Sequence, residues 1–273
     1  MQAQIASFPT TGVYSDTLPD LIYRTSPTSH EYRVVSFRNG YAAPTVIMTT
    51  TGAYGYELYG DVADLNRDGS VELITTRYGP DYRLEMYDVN GALRAVSPNF
   101  ASYLMGPVVL TDTKPSDGIN RLDITMVSTS YQRGIIAADV NFPTATQIIT
   151  RWQYLLATDG SQSIIFADVG QFLAASNNYY VAVSIYNDAA APAQWSANLF
   201  DSVTGQRVWR ADNQQIVATA DLDGDGRLEI VTRLTSGNQA AVPWQTRVYQ
   251  YAGGIQVNPA PVRQWAVSYT HLT

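Results

Sequence analysis

Short apolar runs alternate with clusters of Gly, Asn, Asp and Pro along the chain, and no stretch sustains a 3.6-residue period. Runs such as Tyr32-Arg33-Val34-Val35-Ser36, Leu73-Ile74-Thr75-Thr76, Val108-Val109-Leu110-Thr111, Ile164-Ile165-Phe166-Ala167 and Tyr179-Tyr180-Val181-Ala182-Val183 have strand length and strand composition. Turn signals follow or precede them. Phe37-Arg38-Asn39-Gly40, Tyr87-Asp88-Val89-Asn90-Gly91, Asp201-Ser202-Val203-Thr204-Gly205 and Tyr251-Ala252-Gly253-Gly254 read as hairpins, because Gly and Asn supply the positive φ a tight turn needs. The one Ala-rich segment, 188–193, is broken by Pro192 and reads as a loop. The pattern predicts an all-β chain.

Two loops stand out from this background. Asp221-Leu222-Asp223-Gly224-Asp225-Gly226-Arg227-Leu228-Glu229 places acids at positions 1, 3, 5 and 9 with a glycine at 6. Asp64-Leu65-Asn66-Arg67-Asp68-Gly69-Ser70-Val71-Glu72 repeats the oxygens and the glycine, with Asn at position 3. Carboxylates packed this closely repel one another unless a cation sits among them, and hard oxygen donors at alternating positions suit Ca²⁺. An EF-hand loop shares the first six positions, but its bidentate Glu comes at position 12 and helices flank it. Here the acid arrives at position 9 and a strand-like run follows at once. A solvated acidic turn would explain one such loop; two copies with matched flanks point to calcium.

These loops reveal a repeat. Aspartates that lead similar segments, Asp64, Asp112, Asp168 and Asp221, are 48, 56 and 53 residues apart. Each period reads as strand, Asp-led loop, strand, hairpin, strand, Gly turn, strand, which is the size of a propeller blade. Leu18-Pro19-Asp20-Leu21-Ile22-Tyr23-Arg24 parallels Val71-Glu72-Leu73-Ile74-Thr75-Thr76-Arg77 and marks a partial first copy. The repeats divide as 1–50, 51–103, 104–156, 157–208 and 209–264. The segment from Asp112 to Asp123 is too long and carries Lys114-Pro115, and the one after Asp168 has almost no acids, so neither is expected to hold a metal strongly.

The loop pattern Asp-x-(Asp/Asn)-x-(Asp/Asn)-Gly-x-x-(Asp/Glu) at 64–72 and 221–229 resembles that of FG-GAP and VCBS repeat proteins, the family that includes the integrin α-subunit propeller. The resemblance implies a β-propeller of four-stranded blades, with about five repeats present out of a seven- or eight-bladed ring. It implies Ca²⁺ as cofactor. The ligands it implies are Asp64, Asn66, Asp68, the Ser70 carbonyl and Glu72 in one loop. In the other they are Asp221, Asp223, Asp225, the Arg227 carbonyl and Glu229. It implies adhesion or recognition of a protein or glycan by a monomeric module of a larger secreted or cell-surface chain. Calcium would be mainly structural.

Composition adds limits. Only 15% of the 273 residues are charged, and the net charge of −7 with no basic patch excludes nucleic acid as an expected partner. There is no cysteine, so disulfides and thiolate metal sites are excluded. No uncharged run is long and unbroken enough to read as a membrane span. The N-terminus lacks signal-peptide regions, and Val267-Ser268-Tyr269-Thr270-His271-Leu272 resembles translated sequencing adapter, so the chain reads as a fragment whose residues 265–273 are a non-native tail.

Catalytic signals are sparse. Of the two histidines, His30 lies in a polar turn and His271 in the suspected tail, and no Gly-rich phosphate loop is present. Asp61, Asp88 and Asp201 read as turn-formers. Among Trp152, Trp195, Trp209, Trp244 and Trp265, one per repeat suits core packing, with Trp195 and Trp244 as the pair expected to be exposed. The expectation is a non-enzymatic calcium module. The alternatives are a propeller-type polysaccharide lyase, which would show Arg, Lys, Tyr or His beside a calcium in a concave face, and an architectural spacer.

Overall fold

Alternating apolar runs and turn clusters become twenty β-strands in the computed structural model. It describes residues 21–24, 32–36, 42–43, 45–50, 60–77, 82–88, 90–100, 108–119, 121–128, 133–140, 147–157, 161–174, 176–187, 195–235 and 244–267. His30 and His271 lie outside them, as do residues 268–273. Among the described residues one turn of 3₁₀-helix, Pro115–Asp117, interrupts the strands, and no helix is long and apolar enough to cross a membrane.

The strands are β1 (Leu21–Arg24), β2 (Tyr32–Ser36), β3 (Thr45–Thr50), β4 (Gly60–Ala63), β5 (Glu72–Arg77), β6 (Arg83–Tyr87) and β7 (Leu93–Val96). Then follow β8 (Val108–Thr111), β9 (Asp123–Ser128), β10 (Gly134–Val140), β11 (Ile148–Leu155), β12 (Ser163–Gly170) and β13 (Tyr180–Tyr186). The last are β14 (Trp195–Asp201), β15 (Arg207–Asp212), β16 (Gln214–Ala220), β17 (Glu229–Leu234), β18 (Trp244–Tyr249), β19 (Gln256–Val257) and β20 (Arg263–Val267). They form five sheets: β1–β2–β3, β4 to β7, β8 to β11, β12 to β15 with β19 added, and β16–β17–β18–β20. Within each sheet sequential strands pair antiparallel, so the local connections are hairpins and the register is set by their turns. The fold is all-β, built on four-stranded antiparallel sheets.

The chain divides into two compact units, one of residues 1–112 and 120–153, the other of 113–119 and 154–273. In the first, Leu65, Ile74, Leu84, Met86, Leu110, Ile124, Met126 and Ile136 fill a core between the second and third sheets. In the second, Trp209, Tyr249, Leu199, Ala182, Ile216 and Ile230 do the same between the fourth and fifth. Trp209 is fully buried and meets Tyr249 edge-on at 5.2 Å, a geometry favoured by the ring quadrupoles. The middle strands β10 and β13 are buried almost throughout, which is why they read as unbroken apolar runs rather than alternating ones.

Neighbouring sheets in a unit are latched at their first strands. The Asp61 carboxylate in β4 accepts the N–H of Leu110 in β8 at 3.4 Å. The Asp168 carboxylate in β12 accepts the hydroxyl of Thr219 in β16 at 2.5 Å. Leu110 and Thr219 each stand two residues before the aspartate that follows their strand, so the two latches are equivalent. Asp61 is therefore a strand residue that ties sheets together, whereas Asp88 and Asp201 are turn-formers whose carboxylates cap the backbone of 90–92 and 203–204.

The same comparison corrects the repeat phase. The residues immediately after β4, β8, β12 and β16 are Asp64, Asp112, Gln171 and Asp221. Asp168 lies inside β12, three residues before the loop it was expected to lead. Gly253 and Gly254 have φ of 87° and 70°, yet they open a detour and not a hairpin: β19 pairs parallel with β15 of the preceding sheet before β20 returns to β18. Trp265 is 48% exposed, while Trp195 is half-buried against Tyr186 at 5.2 Å; the Trp244 side chain lies outside the described set. Residues 265–267 continue β20.

Candidate metal centre

Both acidic loops connect the first and second strands of a sheet. Residues 64–71 join β4 to β5 and residues 221–228 join β16 to β17. The position 9 glutamates open the second strand, where Glu72 pairs across to Ala63 and Glu229 to Ala220. Strand pairing thus carries the last acid back to the start of the loop. The five-residue step from the first acid to the glycine lets the chain turn over the Asp side chain.

Five backbone-to-side-chain hydrogen bonds recur in the two loops. The position 1 carboxylate accepts the N–H of positions 5 and 6: Asp68 and Gly69 onto Asp64 at 2.9 and 2.7 Å, Asp225 and Gly226 onto Asp221 at 3.1 and 2.9 Å. The position 3 side chain accepts the N–H of position 5, at 2.9 Å for Asn66 and 3.3 Å for Asp223. The position 5 carboxylate accepts the N–H of position 7, Ser70 or Arg227, at 2.8 Å in both. The position 9 glutamate accepts the N–H of position 2, Leu65 at 3.0 Å and Leu222 at 2.7 Å. Each of these acids accepts from the backbone, the position 1 aspartates through both oxygens, and lone pairs remain for the loop centre.

The loops differ in how far they gather charge. Asp221, Asp223 and Asp225 each offer an oxygen within 4.8 Å of the others, the one such acidic group among the described residues. In the first loop position 3 is the amide Asn66, which donates to Asp68 at 2.9 Å, and Asp64, Asp68 and Glu72 do not converge to that distance. Glu72 and Glu229 are both buried. Burial pushes the Glu72 carboxyl up to about 7; the Leu65 N–H opposes this, and the nearby Asp68, Asp64 and Asp88 charges add to it. The Ser70 N–H, joined by Asn66, holds Asp68 below the usual carboxylate range. A cation in the loop would favour the Glu72 anion that burial disfavours. The donor set is all oxygen and suits a hard divalent ion of flexible geometry.

Several contacts were not legible in the pattern. Gln250, just beyond β18, donates to Asp223 at 2.8 Å and reaches Glu229 at 3.4 Å. Arg67 approaches Asp112 at 3.7 Å, and Arg227 bonds Gln171, so each acidic loop touches the first residue of the equivalent loop in the adjacent sheet. In the connection after β8 Asp117 faces Lys114 at 4.0 Å, and in β9 the buried Asp123 faces Arg151 at 3.6 Å. Cationic side chains stand beside the acids there.

No protein-family model matches the chain, and no curated protein matches it. Among solved structures it is similar to the V. cholerae biofilm matrix protein Bap1 at 17% identity and a TM-score of 0.44, over 87% of this chain and 35% of that one. The chain thus spans about a third of the Bap1 chain. It is also similar to BamB from Moraxella catarrhalis, at 12% identity and a TM-score of 0.31 over 91% of this chain and 85% of that one. A third similarity is to the Pseudomonas aeruginosa periplasmic gluconolactonase PpgL, at 14% identity and a TM-score of 0.35 over 92% and 85%. At such values these are likenesses of β architecture and assign no chemistry.

Proposed function

We propose that the chain is a calcium-binding recognition module of the FG-GAP/VCBS type, whose four-stranded sheets are blades of a β-propeller. The observation that carries this reading is the set of five backbone hydrogen bonds shared by the loops at 64–72 and 221–229, with three carboxylates converging in the second. Calcium would be held by Asp221, Asp223, Asp225, the Arg227 carbonyl and Glu229, and by Asp64, Asn66, Asp68, the Ser70 carbonyl and Glu72. Bound there, it neutralises acids that otherwise repel and fastens the first hairpin of each blade. The role is structural, and the module is not an enzyme.

The position 2 leucines of the two loops differ in exposure. The position 2 leucine of the first loop, Leu65, is fully buried by the sheet that follows. Its counterpart Leu222 is 50% exposed on the fifth sheet. A monomeric module of a larger secreted or surface chain, presenting a propeller face to a protein or glycan, accounts for both loops and the acidic surface.

The test is thermal unfolding of the 273-residue chain in EDTA, in Ca²⁺ and in Mg²⁺. An ion that binds only the folded loop stabilises it by about 2.7 kcal/mol per site at a hundredfold excess over Kd. Melting at a higher temperature in Ca²⁺, reversed by EDTA and not reproduced by Mg²⁺, is the expected result. Superposable curves in all three would sink the proposal.

A further inference from the structure

An acid opens the second strand at the same register position in three sheets. Glu72 of β5, Asp123 of β9 and Glu229 of β17 each stand first in their strand and pair with the last residue of the strand before, Ala63, Thr111 and Ala220. All three are buried, at 6, 2 and 3% exposure. A carboxylate held away from water needs a counter-charge or hydrogen bonds. Glu72 and Glu229 close loops whose other side-chain donors are oxygens. Asp123 closes a longer connection, residues 112–122, and its surroundings are cationic.

Arg151 in β11 supplies the charge. Its Nη2 donates to Asp139 at 2.8 Å and lies 3.6 Å from Asp123. Asp139 stands in β10 beside Asp123, since the preceding pair, Ala138 and Ile124, is in register. In the other two sheets that place belongs to Asp88, whose charge disfavours the Glu72 anion, and to Gln250, which donates to Glu229 at 3.4 Å. The remaining acids of the 112–122 connection are matched too, Asp112 by Arg67 at 3.7 Å and Asp117 by Lys114 at 4.0 Å. Among the described residues no Lys or Arg side chain pairs with an acid of the 64–72 or 221–229 loop.

We infer that Arg151 is a tethered counter-ion, which does in the third sheet what a divalent ion would do in the second and fifth. It pins the start of β9 against β10 and β11 with no metal. A guanidinium suits this task, being planar, permanently charged and able to bridge two carboxylates. Calcium depletion would then act on part of the molecule only. It would loosen the starts of β5 and β17 and leave the start of β9 held. The comparison rests on the calcium reading of the two acidic loops; the pinning by Arg151 does not.

The experiment is hydrogen exchange of the full chain in Ca²⁺ and in EDTA at matched ionic strength, read segment by segment. The wild type should exchange faster in EDTA over 64–75 and 221–232 and equally in both over 121–126. Arg151→Gln leaves Asp123 and Asp139 side by side without their cation. In EDTA it should speed exchange over 121–126 by about tenfold or more, with Arg151→Lys between it and the wild type. Excess Ca²⁺, but not Na⁺ at equal ionic strength, should restore part of that protection, which loss of an ordinary packing contact would not show. If Arg151→Gln does not fold, Asp139→Asn, which removes the 2.8 Å partner, serves with an expected acceleration of a few-fold. Faster exchange over 121–126 in EDTA in the wild type, wild-type protection in Arg151→Gln or in Asp139→Asn, or no selective rescue by Ca²⁺ would each overturn the inference. Exchange over 64–75 and 221–232 that ignores chelation would remove the calcium reading instead, and the Arg151 variants would still decide the pinning.

Discussion

Position 4 of the two acidic loops is Arg67 in one and Gly224 in the other, and both are left-handed, with φ of 58° and 79°. An arginine tolerates that conformation at a cost of about 1 kcal/mol, which glycine avoids. Position 6 is stricter, with φ of 91° at Gly69 and 83° at Gly226 and open space where a Cβ would stand. Gly226→Ala should therefore destabilise the fold by about 1–2 kcal/mol through the backbone alone. Because nothing is there to clash with, Gly226→Ser should cost the same, and comparing the two melting curves separates strain from crowding. At this scale the loop oxygens were legible in sequence, because all fall within nine residues of one another. Gln250 was not, since it meets Asp223 from 27 residues away and nothing local marks it. Trp265 was misjudged because one tryptophan per repeat says nothing about which sheet face it takes.

The latch between first strands is an electrostatic element as well as a steric one. Burial raises the Asp61 carboxyl from 3.8 to about 7, against the lowering pull of the Val62 and Leu110 N–H groups. The folded chain then takes up a proton that the unfolded chain releases, so this group's contribution to stability is full below pH ~4 and is lost as pH rises towards 7. With Ca²⁺ held saturating, the melting temperature should fall between pH 5 and pH 8, and Asp61→Asn should flatten that fall. A variant with the wild-type slope would show that Asp61 stays ionised in its latch. The strands themselves were legible wherever a turn or loop anchored them. The phase was lost at Asp168-Val169, which looks like the head of a loop but matches Asp61-Val62 of β4. A β-bulge between Phe166 and Asp168 shifts that strand by one residue, and a bulge leaves no signature in an apolar run.

For the molecule as a whole, the acidic balance and the loops are one problem. The ion-free chain carries −7, and two Ca²⁺ ions add four positive charges, leaving −3. Native electrophoresis in Ca²⁺ should slow migration towards the anode relative to EDTA, and unchanged mobility would mean that the loops do not take up ions. The all-β class and the four-stranded unit were legible from strand spacing, because hairpin lengths are local quantities. What crosses between sheets was not. The clearest case is the detour after β18, where Gln256 and Val257 run parallel to Trp209 and Arg210 while Asn258 bonds Arg210 and Asp212. Val96 and Gln147 repeat that parallel contact on the last strand of the second sheet. The outermost strands β15 and β7 therefore have part of their free hydrogen-bonding edge occupied by the chain itself. Open edges are where β proteins add foreign strands and aggregate. The detour thus acts as a guard against self-association, written into the segment between the third and fourth strands of the neighbouring sheet.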